Sequence, residues 1–124
     1  MEATSLSSRH CVPCEGIGKP LEPAEALRLV EQVPAWELAG DFSRLRRVWR
    51  VANFMQAIEF INRVAELAEA EQHHPDILLT GYRQLALELT THALGGLTEN
   101  DFILAARIDA LPQPQLHQSR SGRS

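Results

Sequence analysis

The chain has 124 residues, enough for one domain with a buried core, and its 44% hydrophobic and 23% charged content is that of an ordinary globular protein. A net charge of −4 gives no electrostatic ground for gripping nucleic acid or an anionic membrane surface. No apolar run reaches the roughly 20 residues that cross a bilayer, so no membrane-spanning helix is expected.

The opening residues, MEATSLSSRH, contain no apolar core, so no signal peptide is expected and a reducing, cytoplasmic compartment is the default. Cys11 and Cys14 then form CVPC, with His10 beside them. A thioredoxin-like motif needs a strand before it and a helix starting at it; here a polar stretch precedes and Gly16 and Gly18 follow. A structural zinc site needs four ligands, and there is no second CxxC, although His10, Cys11 and Cys14 could supply three to a metal shared between subunits. Residues 1–20 therefore read as a flexible, reduced leader, and residues 112–124 as a disordered tail of low apolar content. The folded unit is expected over 21–111.

A first helix is expected from Pro23, a good first-turn residue, to a stop before Pro34. AWELA (35–39) and SRLRRVWRV (43–51) read as strands joined at Gly40-Asp41. The arginines at 44, 46, 47 and 50 read first as a solvated strand face, second as an anion or partner patch. Asn53 is placed to cap a long helix to about Gln72, with Phe54, Ala57, Ile58, Ile61, Val64, Ala65 and Ala68 as its apolar stripe. Pro75 is expected to end it. DILLT (76–80) and RQLALELTT (83–91) follow as strands, the second presenting Leu85, Leu87 and Leu89 on one face. A last helix is expected over about 98–110. The order α-β-β-α-β-β-α predicts an α+β fold: a four-stranded antiparallel sheet with helices packed on one face. Its open edges favour strand-to-strand dimerisation.

The polar residues that stand out are histidines. His73 and His74 precede Pro75, and a helix ending there would leave His73 in its last turn and His74 in the extended exit, sending the two imidazoles in different directions. Glu69 lies four residues before His73, at a spacing that lets a carboxylate orient the ring. His92 is expected at a strand end before a flexible ALGG loop, and Asp101 in the first turn of the last helix. Imidazoles and carboxylates gathered at element ends fit proton transfer, since an unperturbed imidazole titrates near roughly pH 6.5. Each has a plainer reading. The paired histidines suit a helix C-terminus, His92 suits a surface strand end, Glu69 a solvated helix face, and Asp101 closes a capping box with Thr98. Three histidines with a carboxylate could also ligate a metal.

Together the stretches FINRVAELAEAEQHHPDI and TTHALGGLTENDFILAARID, with Trp36 near the first strand, resemble the pterin-4a-carbinolamine dehydratase family. The resemblance rests on Glu69…His73-His74-Pro75 and on Thr91, His92, Gly96, Leu97, Thr98 and Asp101, and it covers about residues 21–111. It implies a hydro-lyase that removes water from 4a-hydroxytetrahydrobiopterin, giving quinonoid dihydropterin for tetrahydrobiopterin recycling, with no metal and no cofactor. It further implies His73 and His92 as the acid–base pair and His74 as the group that positions the pterin. Asp101 would orient a histidine, Glu69 would support His73, Pro75 would fix the divergence of the pair, and Trp36 would border the pocket or anchor the core. The implied partners are the pterin substrate, further copies of the chain in a homodimer or homotetramer, and an aromatic amino acid hydroxylase of the same pathway, with no nucleic acid and no membrane. The alternative is a non-catalytic or dual-role binding protein on the same fold, such as a Rubisco assembly factor or a dimerisation cofactor. Ile77, where some family members have tryptophan, and Asn100 in the Ser/Thr-x-x-Asp turn depart from the pattern.

Overall fold

The computed structural model describes residues 6–11 and 19–117. Helix α1 spans Pro23–Val30 and begins with a proline whose missing N–H would have had no helical partner anyway. Strands β1 (Glu37–Leu38) and β2 (Leu45–Arg50) follow. The link between them turns where Asp41 Oδ1 accepts the Ser43 backbone N–H at 3.1 Å and its hydroxyl at 2.6 Å, and where Phe42 takes a left-handed φ of 61°. Helix α2 (Phe54–Glu71) starts on Asn53, whose side chain accepts from the Gln56 N–H. Strands β3 (Asp76–Thr80) and β4 (Gln84–Leu89) and helix α3 (Glu99–Ala110) complete the architecture.

The four strands form one antiparallel sheet in the order β1-β2-β4-β3. Register pairs Leu45, Arg47 and Trp49 with Leu89, Leu87 and Leu85, so these six side chains share a face. Against it lie Ala57, Phe60 and Val64 of α2 and Phe102, Leu104, Ala105 and Ile108 of α3, all excluded from solvent. Trp49 meets Trp36 edge-on at 6.0 Å and Phe60 at 5.2 Å. Such aromatic pairs each contribute about 0.5–1.5 kcal/mol beyond area burial. The opposite face carries exposed Val48 and Leu78 beside Ala86, and no helix among the described residues covers it. The α+β architecture and element order are those expected.

Several details differ. The buried stripe of α2 is Ala57, Phe60, Val64 and Ala68, while Phe54 and Ala65 are exposed. Ala57, Val64 and Ala68 were expected, but Phe60 takes the buried place expected of Ile58 and Ile61, which are only partly buried. The arginines of β2 do not share a face either. Arg44 and Arg46 converge on Glu88, but strand alternation turns Arg47 inward, over the Trp49 ring at 4.4 Å and onto Asp109 at 2.5 Å.

Both ends depart from the leader-and-tail expectation within the described residues. Leu6 is buried in the core and opens a 3-10 turn over Leu6–Ser8. Residues 112–117 run back along the end of β2: Ala52 N–H donates to the Gln115 carbonyl at 2.8 Å and His117 N–H to the Arg50 carbonyl at 2.8 Å. Sparse anchors and backbone hydrogen bonds order these ends, and a polar composition does not reveal such features. Cys14 lies outside the described residues.

Candidate active site

The site is assembled where α2 ends, β4 ends and α3 begins. α2 does not run on to Pro75. Gln72 takes a left-handed φ of 56° and stops the helix; its N–H reaches the Ala68 and Glu69 carbonyls, and the His73 N–H returns to the Ala68 carbonyl at 3.2 Å. These bonds are those of a Schellman termination. His73 is therefore already outside the helix, contrary to the expectation that it occupies the last turn. Pro75 keeps the exit extended into β3.

This exit turns His73 towards α3. Its Nε2 lies 2.6 Å from Asp101 Oδ1, with the carboxylate side chain fully buried and the imidazole 11% exposed. The other oxygen of Asp101 accepts the Thr91 hydroxyl at 2.9 Å and the Thr98 backbone N–H at 3.0 Å. Thr98 is the N-cap of α3 and Asp101 its third residue, so the capping box anticipated in the sequence is present. Asp101 thus caps the helix with one oxygen and holds His73 with the other. Two donors on Oδ2 make the carboxylate an acceptor, which assigns the hydrogen of His73 to Nε2 and leaves Nδ1 as the basic nitrogen.

Glu69 does not support His73. Its Oε2 lies 2.7 Å from His74 Nε2, in a pair that is largely open to solvent. The four-residue spacing fails because the left-handed Gln72 takes His73 off the helix face. Each histidine of the pair therefore has its own carboxylate, His73 a buried one and His74 an exposed one.

β4 ends at Leu89, and Thr91 opens a tight turn in which His92–Leu94 form one 3-10 helical turn. The loop is closed: the Thr91 N–H donates to the Gly96 carbonyl at 3.0 Å, and the Gly96 N–H donates back at 3.3 Å. Gly95 has a φ of 70°, and a Cβ on Gly96 would stand 3.0 Å from the Pro20 side chain, so each glycine has its own reason. This turn presents His92, which is exposed, to the cleft that His73 and His74 also line.

A cleft of about 200 Å³ lies between these elements, lined by Gln72, His73, His74, Thr90, Thr91, His92, Ala93 and Asn100. It is below the roughly 300–1,000 Å³ of sites for drug-sized ligands and suits a compact polar ring. The fold thus brings His73, His74, His92 and Asp101 to one place. Trp36 is not among the lining residues. It is buried against Trp49 and donates its indole N–H to Asp109 at 2.9 Å, which makes it a core anchor. Ile77 lies on edge strand β3 opposite Leu87, outside the cleft lining.

Two contributors were not singled out from the sequence: Gln72, which sets the helix exit, and Glu71, which carries the N-terminal segment. Thr91, quoted only as part of the family pattern, holds Asp101. Glu71 is 5% exposed and accepts the Cys11 N–H at 2.7 Å and His10 Nδ1 at 2.8 Å. Burial alone would raise the Glu71 carboxyl, but these bonds and the nearby Arg107 charge outweigh it and hold the group below its ordinary value. Burial, and then the charges of Glu71 and Asp101, push the Cys11 thiol up to about 12. Among the described residues no group of three or more His, Cys, Asp and Glu side chains is arranged to hold a metal ion.

The matches to known proteins identify the family. The family model described as pterin 4 alpha carbinolamine dehydratase matches residues 19–111. A Halorhodospira halophila protein carrying the provisional name pterin-4-alpha-carbinolamine dehydratase is 49% identical over 107 residues, which cover 86% of this chain and 97% of that one. The crystal structure of a transcriptional coactivator/pterin dehydratase from Brucella melitensis superposes with a TM-score of 0.68 at 25% identity, covering 74% of this chain and 97% of that one. A pterin dehydratase-like protein identified as a RuBisCO assembly factor in the alpha-carboxysome superposes with a TM-score of 0.52 at 27% identity, covering 62% and 88%. The chain belongs to the pterin-4a-carbinolamine dehydratase family. No helix among the described residues is long and apolar enough to cross a membrane.

Proposed function

We propose that the protein is a 4a-hydroxytetrahydropterin dehydratase, a hydro-lyase of tetrahydrobiopterin recycling. The observation that carries this reading is the His73–Asp101 pair at 2.6 Å on the wall of a cleft that also holds His74 and His92. The reaction removes a proton from the ring nitrogen beside the carbinolamine carbon, breaks that carbon's bond to the hydroxyl oxygen and delivers a proton to the oxygen. Water leaves and the quinonoid dihydropterin remains. Two groups are needed, a base and an acid, on different sides of one small ring.

His73 has the features of the base. Asp101 fixes its tautomer and orientation and stabilises the imidazolium that forms when Nδ1 takes the proton. His92, which lines the same cleft, is the acid for the departing hydroxyl. His74, oriented by Glu69, positions the pterin and stabilises the charge that develops on it. Pro75 holds the extended exit that separates the two neighbouring imidazoles. The same family supports a binding role, as its RuBisCO assembly relative is described, and three imidazoles with two dedicated carboxylates favour catalysis over binding alone.

The test is the dehydration of enzymatically generated 4a-hydroxytetrahydropterin, followed by absorbance. Wild type is expected to accelerate it, and His73→Ala and His92→Ala each to lose about 10²–10⁴-fold while keeping the wild-type circular dichroism. A folded wild type that leaves the spontaneous rate unchanged would assign the chain to the non-catalytic role.

A further inference from the structure

The sequence singled out His10 and Cys11, and the acid–base scheme uses neither. In the structure they belong to a segment, residues 6–11, that lies along α3 and ends against α2. Leu6 is buried in the core. Arg107 on α3 donates to the Ser7 and Arg9 carbonyls at 3.2 and 3.3 Å, and Arg9 pairs with Glu99 at 3.0 Å. Cys11 is the bridge: its backbone N–H donates to Glu71, the last residue of α2, and its thiol to the carbonyl of Asn100 in the first turn of α3 at 3.5 Å.

Those two anchor points flank the proposed base and its partner. Glu71 is two residues before His73, with only the left-handed Gln72 between them, and Asn100 is the residue before Asp101. Glu71 is also in an unfavourable place as a helix residue. A carboxylate in the last turn opposes the helix dipole, and the last turn of α2 contains no basic side chain. What it gains there is the segment, through the Cys11 N–H and His10 Nδ1, together with the Arg107 charge, whose Nε lies 3.7 Å away and has no hydrogen-bond partner among the described residues. The thiol, held protonated, remains a donor to Asn100 and not a nucleophile.

We infer that residues 6–11 are a clamp that sets the distance between the end of α2 and the start of α3, and that Glu71 is a positioning residue that acts through it on the His73–Asp101 pair. The inference rests on His73 being the base, and it extends the site to a segment outside the matched family region. A hydrogen bond of 2.6 Å between groups on two different elements depends on sub-ångström placement, and misplacement of a catalytic group by 1 Å can cost about 100-fold.

The test has an arm that needs no turnover. In Glu71→Gln, hydrogen exchange at the Cys11 amide is expected to quicken roughly tenfold or more, since a charged acceptor becomes a neutral one. The His73 imidazole 15N shifts are expected to move from a single Nε2–H form towards a mixture. In the dehydration assay kcat is expected to fall roughly tenfold at unchanged KM. Arg107→Met, which releases the Ser7 and Arg9 carbonyls from the other side, is expected to act in the same direction and covers the case in which Glu71→Gln folds poorly. Faster Cys11 exchange with a wild-type His73 signature and wild-type kcat would overturn the inference, leaving the segment as packing only. Unchanged Cys11 exchange would overturn it too. If wild type shows no turnover but the His73 signature still responds to Glu71→Gln, the clamp stands and the dehydratase reading fails.

Discussion

Asp101 serves two needs with one carboxylate, and the two can be separated. Asp101→Asn keeps the size of the side chain but places an amide among three donors, so either one donor faces another in a fully buried site or His73 is driven into its other tautomer. It is expected to lower stability by about 1–3 kcal/mol in denaturant unfolding. It should also reduce kcat as strongly as His73→Ala, because Nε2 loses its acceptor. Glu69→Gln should behave differently: the Glu69–His74 pair is largely exposed, so the melting temperature is expected to stay at its wild-type value while KM for the pterin rises. At this scale the sequence was half legible. The residue types of the site and the capping box could be read from spacing. The pairing of carboxylates with histidines could not, because it turns on the backbone angle of Gln72, and glutamine is not a residue that announces a left-handed conformation.

At the scale of elements, the strands and helices follow from hydrophobic period and caps, and β3 falls on the expected residues. What the period could not convey is which long-range partner each side chain meets. Trp36 is the example: a tryptophan near a polar cleft can stack on a ligand or anchor a core, and only the position of Asp109 on α3 decides. Trp36→Phe removes the indole N–H and weakens the edge-on contact with Trp49. It is expected to cost about 1–3 kcal/mol in unfolding and to leave kcat and KM unchanged, since the side chain does not line the cleft. A rise in KM alone would return Trp36 to the site. Arg47 makes the same point, since strand alternation separates it from its three arginine neighbours and places it on Asp109.

At the scale of the whole molecule, the ends were the least legible part. Few apolar residues occur in 6–11 or 112–117, yet Leu6 in the core and bonds to the Arg107 and Glu71 side chains dock the first, and backbone hydrogen bonds with Arg50 and Ala52 dock the second. The docked N-terminal segment carries two consequences. The folded state holds Glu71 below its ordinary value, so its contribution to stability is present above pH 4.5 and is lost as pH falls through the lower folded value. The melting-temperature difference between wild type and Glu71→Gln should therefore be largest near neutrality and shrink below pH 4.5. The Cys11 thiol, pushed up to about 12, should stay protonated at about pH 9. In a Cys14→Ser background it is expected to react with iodoacetamide far more slowly than free cysteine, and rapid labelling would show that the segment is not docked in solution.

The central claim is that a buried carboxylate makes His73 a base that removes a proton from a pterin carbinolamine. It is tested most directly by the rate at which 4a-hydroxytetrahydropterin loses water in the presence of wild type and of Asp101→Asn. Acceleration by wild type is expected, and for Asp101→Asn a loss of kcat on the order of 10²-fold or more with the fold retained. Equal rates for the two proteins, or no acceleration by either, would contradict it.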